Sequence, residues 1–128
     1  MEKYLYQELT ARIIQAFYKV YNTLGFGFLE KVYENALKIE LEVAGFFIER
    51  QKPLNVYYNK IIVGEYFADL IVNRKVILEL KAADCLMKEH ELQLINYLKA
   101  TDIEIGLLLN FGKKPEIRRK IFTYENNN

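Results

Sequence analysis

Cysteine is almost absent from this chain: Cys85 has no second thiol to pair with. No internal disulfide can form, and this usage predicts a reducing, cytoplasmic setting. Histidine is equally scarce. His90 stands alone, which excludes a zinc site built from several histidines. An excess of one charge is missing too. Lys and Arg number 18 and Asp and Glu 17, for a formal net charge of +1. That excludes a protein that coats nucleic acid by bulk electrostatics, while leaving room for a local basic face. No apolar run approaches the ~20 residues that span a bilayer. The opening MEKYLYQELTARII carries early acids and lacks the apolar segment of a signal peptide. No membrane partner is therefore expected. Internal repeats and linkers are absent, and only Asn126, Asn127 and Asn128 read as a frayed tail.

What is present is a large apolar fraction. Of 128 residues, 52% are hydrophobic and 14% aromatic. Such a chain predicts one domain over 1–125, with a core that needs neither disulfide nor structural metal.

Leu9, Ile13, Ala16, Phe17, Val20 and Leu24 recur at spacings of three and four, which predicts an amphipathic helix over 4–24 with Gly25 at its end. A second helix is expected over 29–44, with Val32, Ala36, Leu37, Ile39 and Val43 inward and Gly45 as its stop. Glu30 falls in its first turn, where an acid suits the helix dipole, and Tyr33 shares its face. Spacing alone favours an ordinary first-turn acid. Residues 46–58 read as a strand interrupted by Pro53, and 61–72 and 75–82 as two more, in an antiparallel meander. The helical period returns over 86–100. Leu92, Ile95 and Leu98 mark its apolar side, and His90, Gln93 and Tyr97 form a separate polar stripe. Residues 103–111 follow as a strand that a right-handed crossover lays parallel in the same sheet. A last strand over 117–124 is polar and reads as an edge. The expected fold is α/β (α+β), in the order α-α-β-β-β-α-β-β.

The most informative stretch is VGEYFADLIVNRKVILELKAA, from Val63 to Ala83. Val76, Ile77, Leu78 and Leu80 surround one carboxylate, Glu79, as in a strand covered on both faces. A bare ionised carboxylate there costs several kcal/mol unless something compensates it. Glu79 and Lys81, two apart, point the same way. A hairpin turning at Arg74 puts Asp69 across from Glu79. Two carboxylates and the backbone carbonyl of Leu80 would make a hard oxygen site suited to Mg²⁺ or Mn²⁺. A divalent ion there would lower the pKa of a bound water and neutralise phosphate charge, and Lys81 could orient that water. The same spacing fits, equally well, a structural ion pair of Lys81 with Asp69 or Glu79.

With these residues in order, the chain resembles the PD-(D/E)XK nuclease superfamily. Asp69 and Glu79-Leu80-Lys81 match its motif, with Ala68 where a proline often stands. Gln93-Leu94-Ile95-Asn96-Tyr97 resembles the Gln-x₃-Tyr motif of the RecB-like branch. Gly27-Phe28-Leu29-Glu30-Lys31-Val32-Tyr33 resembles the signature of the GxxExxY family, and FADLIV, ILELKA, QLINYLKAT and GLLLNFG resemble its other blocks. The resemblance implies a restriction-endonuclease-like core and a nuclease that uses Mg²⁺ or Mn²⁺. It implies Glu30, Asp69 and Glu79 as metal ligands and Lys81 as the residue serving the hydrolytic water. Gln93 would position Lys81 or a phosphate, and Tyr97 would support the site. Nucleic acid is the implied partner, with DNA favoured over RNA.

Two further readings stand beside this one. The small size and modest charge suit a catalytically silent module for binding or assembly, and the Tyr and Phe excess suits a homodimer formed through an edge strand or the first helix. The cluster Lys113, Lys114, Arg118, Arg119 and Lys120 could touch phosphates, or could equally protect an edge strand.

Overall fold

A computed structural model describes residues 6–123. The expected start of the first helix at residues 4 and 5, the end of the last strand at 124 and the tail at 126–128 lie outside the described residues. The elements are α1 (Gln7–Leu24), α2 (Glu30–Val43), β1 (Ile48–Tyr58), β2 (Ile61–Val72), β3 (Val76–Lys81), α3 (Lys88–Lys99), β4 (Ile105–Phe111) and β5 (Pro115–Ile121). Their order is the expected one.

The five strands form one mixed sheet in the order β1-β2-β3-β4-β5. Both hairpins of the meander turn on paired left-handed residues, Asn59 and Lys60, then Asn73 and Arg74. In the two-residue β1–β2 turn, two successive positive φ values match the twist of the strands it joins, and the β2–β3 turn adds Lys75 as a third residue. Helix α3 then carries the chain over the sheet, so β4 returns parallel to β3, with Val76 beside Ile105 and Glu79 beside Leu108. Strand β5 closes the sheet antiparallel to β4.

Strand alternation divides the core between the two faces. Leu70, Val72, Leu78, Leu80, Leu107 and Leu109 pack under α1 and α2, against Ile13, Phe17, Tyr33 and Leu37. Ile71, Ile77 and Leu108 pack on the other face against Leu94, Tyr97 and Leu98 of α3. Strands β3 and β4 are thereby covered on both sides, which explains their unbroken apolar runs.

Two faces differ from the expected ones. On α2 the buried stripe is Tyr33, Leu37 and Leu41, four residues apart, while Ile39 and Val43 are exposed. Tyr33 wins the inward position because its ring stacks on Phe111 at 4.3 Å and its hydroxyl donates to the Gly25 carbonyl at 2.6 Å. On α3, Leu94 and Tyr97 turn inward and Leu92 is exposed, so the Gln93–Tyr97 stripe flanks the core rather than facing open solvent.

Buried Asn110 secures the loop that follows β3. Its side chain accepts the Ala83 N–H at 2.9 Å and donates to the Ala83 carbonyl at 3.0 Å. Gly112 passes so close that a Cβ there would sit on the Ala83 carbonyl oxygen. Gly112→Ala is expected to cost about 1–3 kcal/mol through this overpacking, read as a fall of several degrees in Tm. Gly64→Ala, whose added Cβ would meet nothing nearer than 3.6 Å, serves as the control. Equal melting of wild type and Gly112→Ala would contradict the packing described.

Candidate active site

The ladder between β2 and β3 is short. It pairs Val72 with Val76, Ile71 with Ile77 and Leu70 with Leu78, and then stops. The next pair in register is Asp69 and Glu79. There the strands part, and side chains replace the backbone ladder. The Asp69 N–H donates to Oε2 of Glu79 at 3.0 Å, and the Leu80 N–H donates to Oδ2 of Asp69 at 2.8 Å. Each carboxylate thus holds the opposite strand through one oxygen and keeps a second oxygen outside the exchange.

A buried carboxylate close to a half-buried one disfavours double ionisation. Burial, and then the Asp69 charge, push the Glu79 carboxyl up to about 8, against a smaller opposing pull from the Asp69 N–H and Lys81. Burial also raises Asp69, and the Leu80 N–H holds it back. Lys81 is half-buried at the end of β3, level with Asn110. Among the described residues no salt bridge engages Lys81. The expected structural ion pair with Asp69 or Glu79 is therefore not formed.

Glu30 opens α2 and is exposed, and its Oε2 accepts the Ala82 N–H at 3.3 Å, just past Lys81. The charge of Glu30 bears on both Asp69 and Glu79. Leu80 has a buried side chain and contributes its backbone to this junction. On α3, Gln93 donates through Nε2 to the Tyr97 hydroxyl at 2.8 Å. Burial, and then the Glu79 charge, push Tyr97 up to about 12, so its phenol keeps its proton. His90 accepts the Met87 N–H at 3.0 Å through Nδ1 and so caps the first turn of α3.

Sequence reasoning passed over two neighbours. Gln51 lies in β1 with φ 50, a left-handed conformation rarely adopted by a non-glycine residue. Its Nε2 donates to Oε1 of Glu34 at 2.8 Å and to Oδ1 of Asp69 at 3.3 Å. Glu34 is buried and also accepts from Nε of Arg50 at 2.7 Å. A signal for Glu34 existed, since it lies one turn beyond Glu30 on the same helix. No sequence signal marks a strained glutamine.

The basic cluster is not one patch. Arg118 and Lys120 pair with Glu91 of α3. Arg119 alternates to the opposite side and sits across from Leu107, which packs under α1 and α2. Lys113 and Lys114 are exposed in the β4–β5 turn.

Among the described residues, no three acidic, histidine or cysteine side chains are grouped closely enough to hold a metal as they stand. The donor set nevertheless suits a hard divalent cation. Asp69 and Glu79 supply carboxyl oxygens that no Lys or Arg side chain pairs with among the described residues, and Glu30 accepts the Ala82 N–H at the exit of β3. Residues 7–120 match the family model described as the PD-(D/E)XK nuclease superfamily. No curated protein and no solved structure matches the chain.

The Glu79 shift sets a pH dependence for the metal-free protein. Between the unfolded value of 4.5 and the folded value of about 8, the native state holds a proton that the unfolded chain releases. The stabilisation is complete below 4.5 and is lost as pH rises through about 8. Stability should therefore fall across this window, by at most about 1.4 kcal/mol per pH unit from this group. Glu79→Gln should flatten the slope. Denaturant melts from pH 5 to pH 9 check this, and an unaltered slope in the variant would count against it.

Proposed function

The chain belongs to the PD-(D/E)XK nuclease superfamily, and from that premise we propose that it hydrolyses phosphodiester bonds in nucleic acid with the help of a divalent cation. The observation that carries the reading is the meeting of Asp69 and Glu79 where β2 and β3 part, with Lys81 beside them engaged in no salt bridge among the described residues. A structural network would neutralise these acids. This one, among the described residues, gives Asp69 and Glu79 no Lys or Arg partner and leaves a proton on Glu79 that a cation can displace.

Glu30, Asp69, Glu79 and the Leu80 carbonyl would hold the cation, Mg²⁺ or Mn²⁺ by the hardness of these donors. When bound, such an ion lowers the pKa of a water and screens phosphate charge. Lys81 orients the attacking water or donates to the pentacovalent phosphate. Gln51 bridges Glu34 and Asp69 and fixes the direction of the Asp69 carboxylate. Gln93, which donates to the Tyr97 hydroxyl, would position Lys81 or the substrate, and Tyr97, kept neutral, would support the site from α3.

The narrower assignment to the GxxExxY family is supported by Tyr33, which anchors the loop ahead of Glu30. The RecB-like assignment is supported by the Gln93–Tyr97 bond. Lys113 and Lys114 suit phosphate contact. Arg118, Arg119 and Lys120 act in the same direction less directly, because Arg118 and Lys120 are already paired to Glu91. We also propose one catalytic domain over 1–125, a cytoplasmic setting, DNA ahead of RNA, and a homodimer, the last supported by exposed Tyr58, Ile61, Val63 and Phe67 on the β1–β2 hairpin. No helix among the described residues is long and apolar enough to cross a membrane.

Asp69→Ala and Lys81→Ala should each reduce Mn²⁺-dependent cleavage by about 100-fold or more. Calorimetry should show Mn²⁺ binding by wild type and its loss in Asp69→Ala. Cleavage left intact by both substitutions would sink the catalytic assignment. A folded wild type that takes up no Mn²⁺ would point instead to a catalytically silent binding or assembly module.

A further inference from the structure

The short β2–β3 ladder has a second effect. Beyond Leu70, toward its turn, β2 pairs only with β1. The outer half of that hairpin therefore has no neighbour on the β3 side, and a cleft lies between it and α3. The cleft is a cavity of about 680 Å³, within the range of small-molecule sites. Asn55, Tyr57 and Tyr66 line it from the hairpin, and Gln93, Asn96 and Tyr97 from α3.

Its walls have a specific chemistry. The Tyr66 and Tyr97 rings lie 5.6 Å apart and tilted by 44°, and Tyr57 and Tyr66 are both exposed. Flat π-faces at the mouth suit a flat aromatic ligand. Three side-chain amides offer both donors and acceptors beside those rings. Oδ1 of Asn55 is buried with no hydrogen-bond partner among the described residues. Rotation about the soft χ2 bond would present it to a donor in the cavity. The lining carries one cation, Lys99, and one acid, Glu89, and so offers no net positive charge to a phosphate.

The cavity also adjoins the carboxylates. Tyr97 packs in one cluster with Ala68, the chain neighbour of Asp69, and with Ile77, two residues before Glu79. The negative charges of Glu79 and Asp69 both bear on its phenol. A nucleotide whose phosphate lay at Asp69 and Glu79 would have its base within reach of this cleft.

We propose that the cavity is a nucleobase subsite, which stacks one unpaired base on Tyr66 and reads its edge through the Asn55 and Gln93 amides. The substrate is then single-stranded where it is cut. A base inside a duplex is stacked and paired and enters only at a cost of about a few kcal/mol for unstacking and unpairing, whereas unstacked bases of single strands are recognised in this manner in DNA and RNA alike. The inference rests on the nuclease reading above and adds the state of the substrate to it.

Steady-state cleavage in Mn²⁺ tests it with four substrates: a single-stranded DNA oligomer, its RNA counterpart, a fully abasic single strand and a blunt duplex. Wild type should cut a base-bearing single strand in preference to the duplex. Tyr66→Ala should lower kcat/KM on that strand by about 5- to 100-fold, as expected for loss of one stacked base, mainly through KM. The abasic strand should be cut equally by wild type and variant. Tyr66→Phe keeps the ring and should behave as wild type, which separates stacking from folding. If the duplex is cut as well as the single strand, or if Tyr66→Ala loses equally on the abasic strand, the subsite is overturned while the nuclease reading stands. If wild type cuts none of the four, both fall together.

Discussion

The structure depends on a reciprocal exchange between two acids. Where β2 and β3 separate, the Asp69 amide is taken by Glu79 and the Leu80 amide by Asp69. A parting of strands normally leaves backbone donors without partners, and buried donors must be satisfied. Carboxylates satisfy these two at short range. The same solution brings two acids together in a place with little water, with Glu30 and Glu34 close enough to add to the repulsion. The junction is therefore held by hydrogen bonds, and ionising both acids at once strains it. Adding positive charge relieves the strain without breaking the hydrogen bonds, because each carboxylate has an oxygen outside the exchange.

Much of the remaining architecture serves that junction. Strands β3 and β4 are buried on both faces, so Glu79 and Lys81 project from a rigid floor. Asn110, level with Lys81 on β4, clamps the loop beyond it. Tyr33 ties the entry of α2 to the Gly25–Phe28 segment and stacks on Phe111 at the end of β4. That anchorage places Glu30 against Ala82 at the exit of β3. The acid from α2 is brought to the strand end that follows Glu79 and Lys81 because one aromatic side chain fixes a helix start to a strand end.

The fold was largely legible because burial leaves a plain record. An apolar strand with one carboxylate announced Glu79, a hairpin count placed Asp69 opposite it, and the helix between 86 and 100 implied the parallel return of β4. Asn110, a lone amide in GLLLNFG, carries the same kind of mark as Glu79. What escaped reading has physical reasons. On α2, Val32, Ile39 and Val43 are as apolar as Leu37 and Leu41, so pattern alone could not tell which stripe turns inward. The decision lay with Tyr33 and its distant partners Phe111 and Gly25. Leu92 misled in the same way, while Tyr97 counted as polar for its hydroxyl although its ring belongs to the core. Gln51 left no trace, since its role depends on a left-handed backbone that no neighbouring residue type demands.

The basic residues of β5 show how sequence proximity overstates spatial grouping. Five cations within eight positions suggest a phosphate-binding face, but a strand sends alternate side chains to opposite sides. Arg118 and Lys120 turn toward α3 and meet Glu91, which that contact holds below the usual carboxylate range. Arg119 turns the other way. Such pairs on an exposed edge contribute little stability, yet they place charge along a strand that would otherwise offer unpaired backbone to another chain. Protection of the edge and attraction of a polyanion are thus divided between strand and turn. Lys113 and Lys114, in the turn beyond β4, carry the cations that remain open to solvent at the same end of the sheet as Lys81.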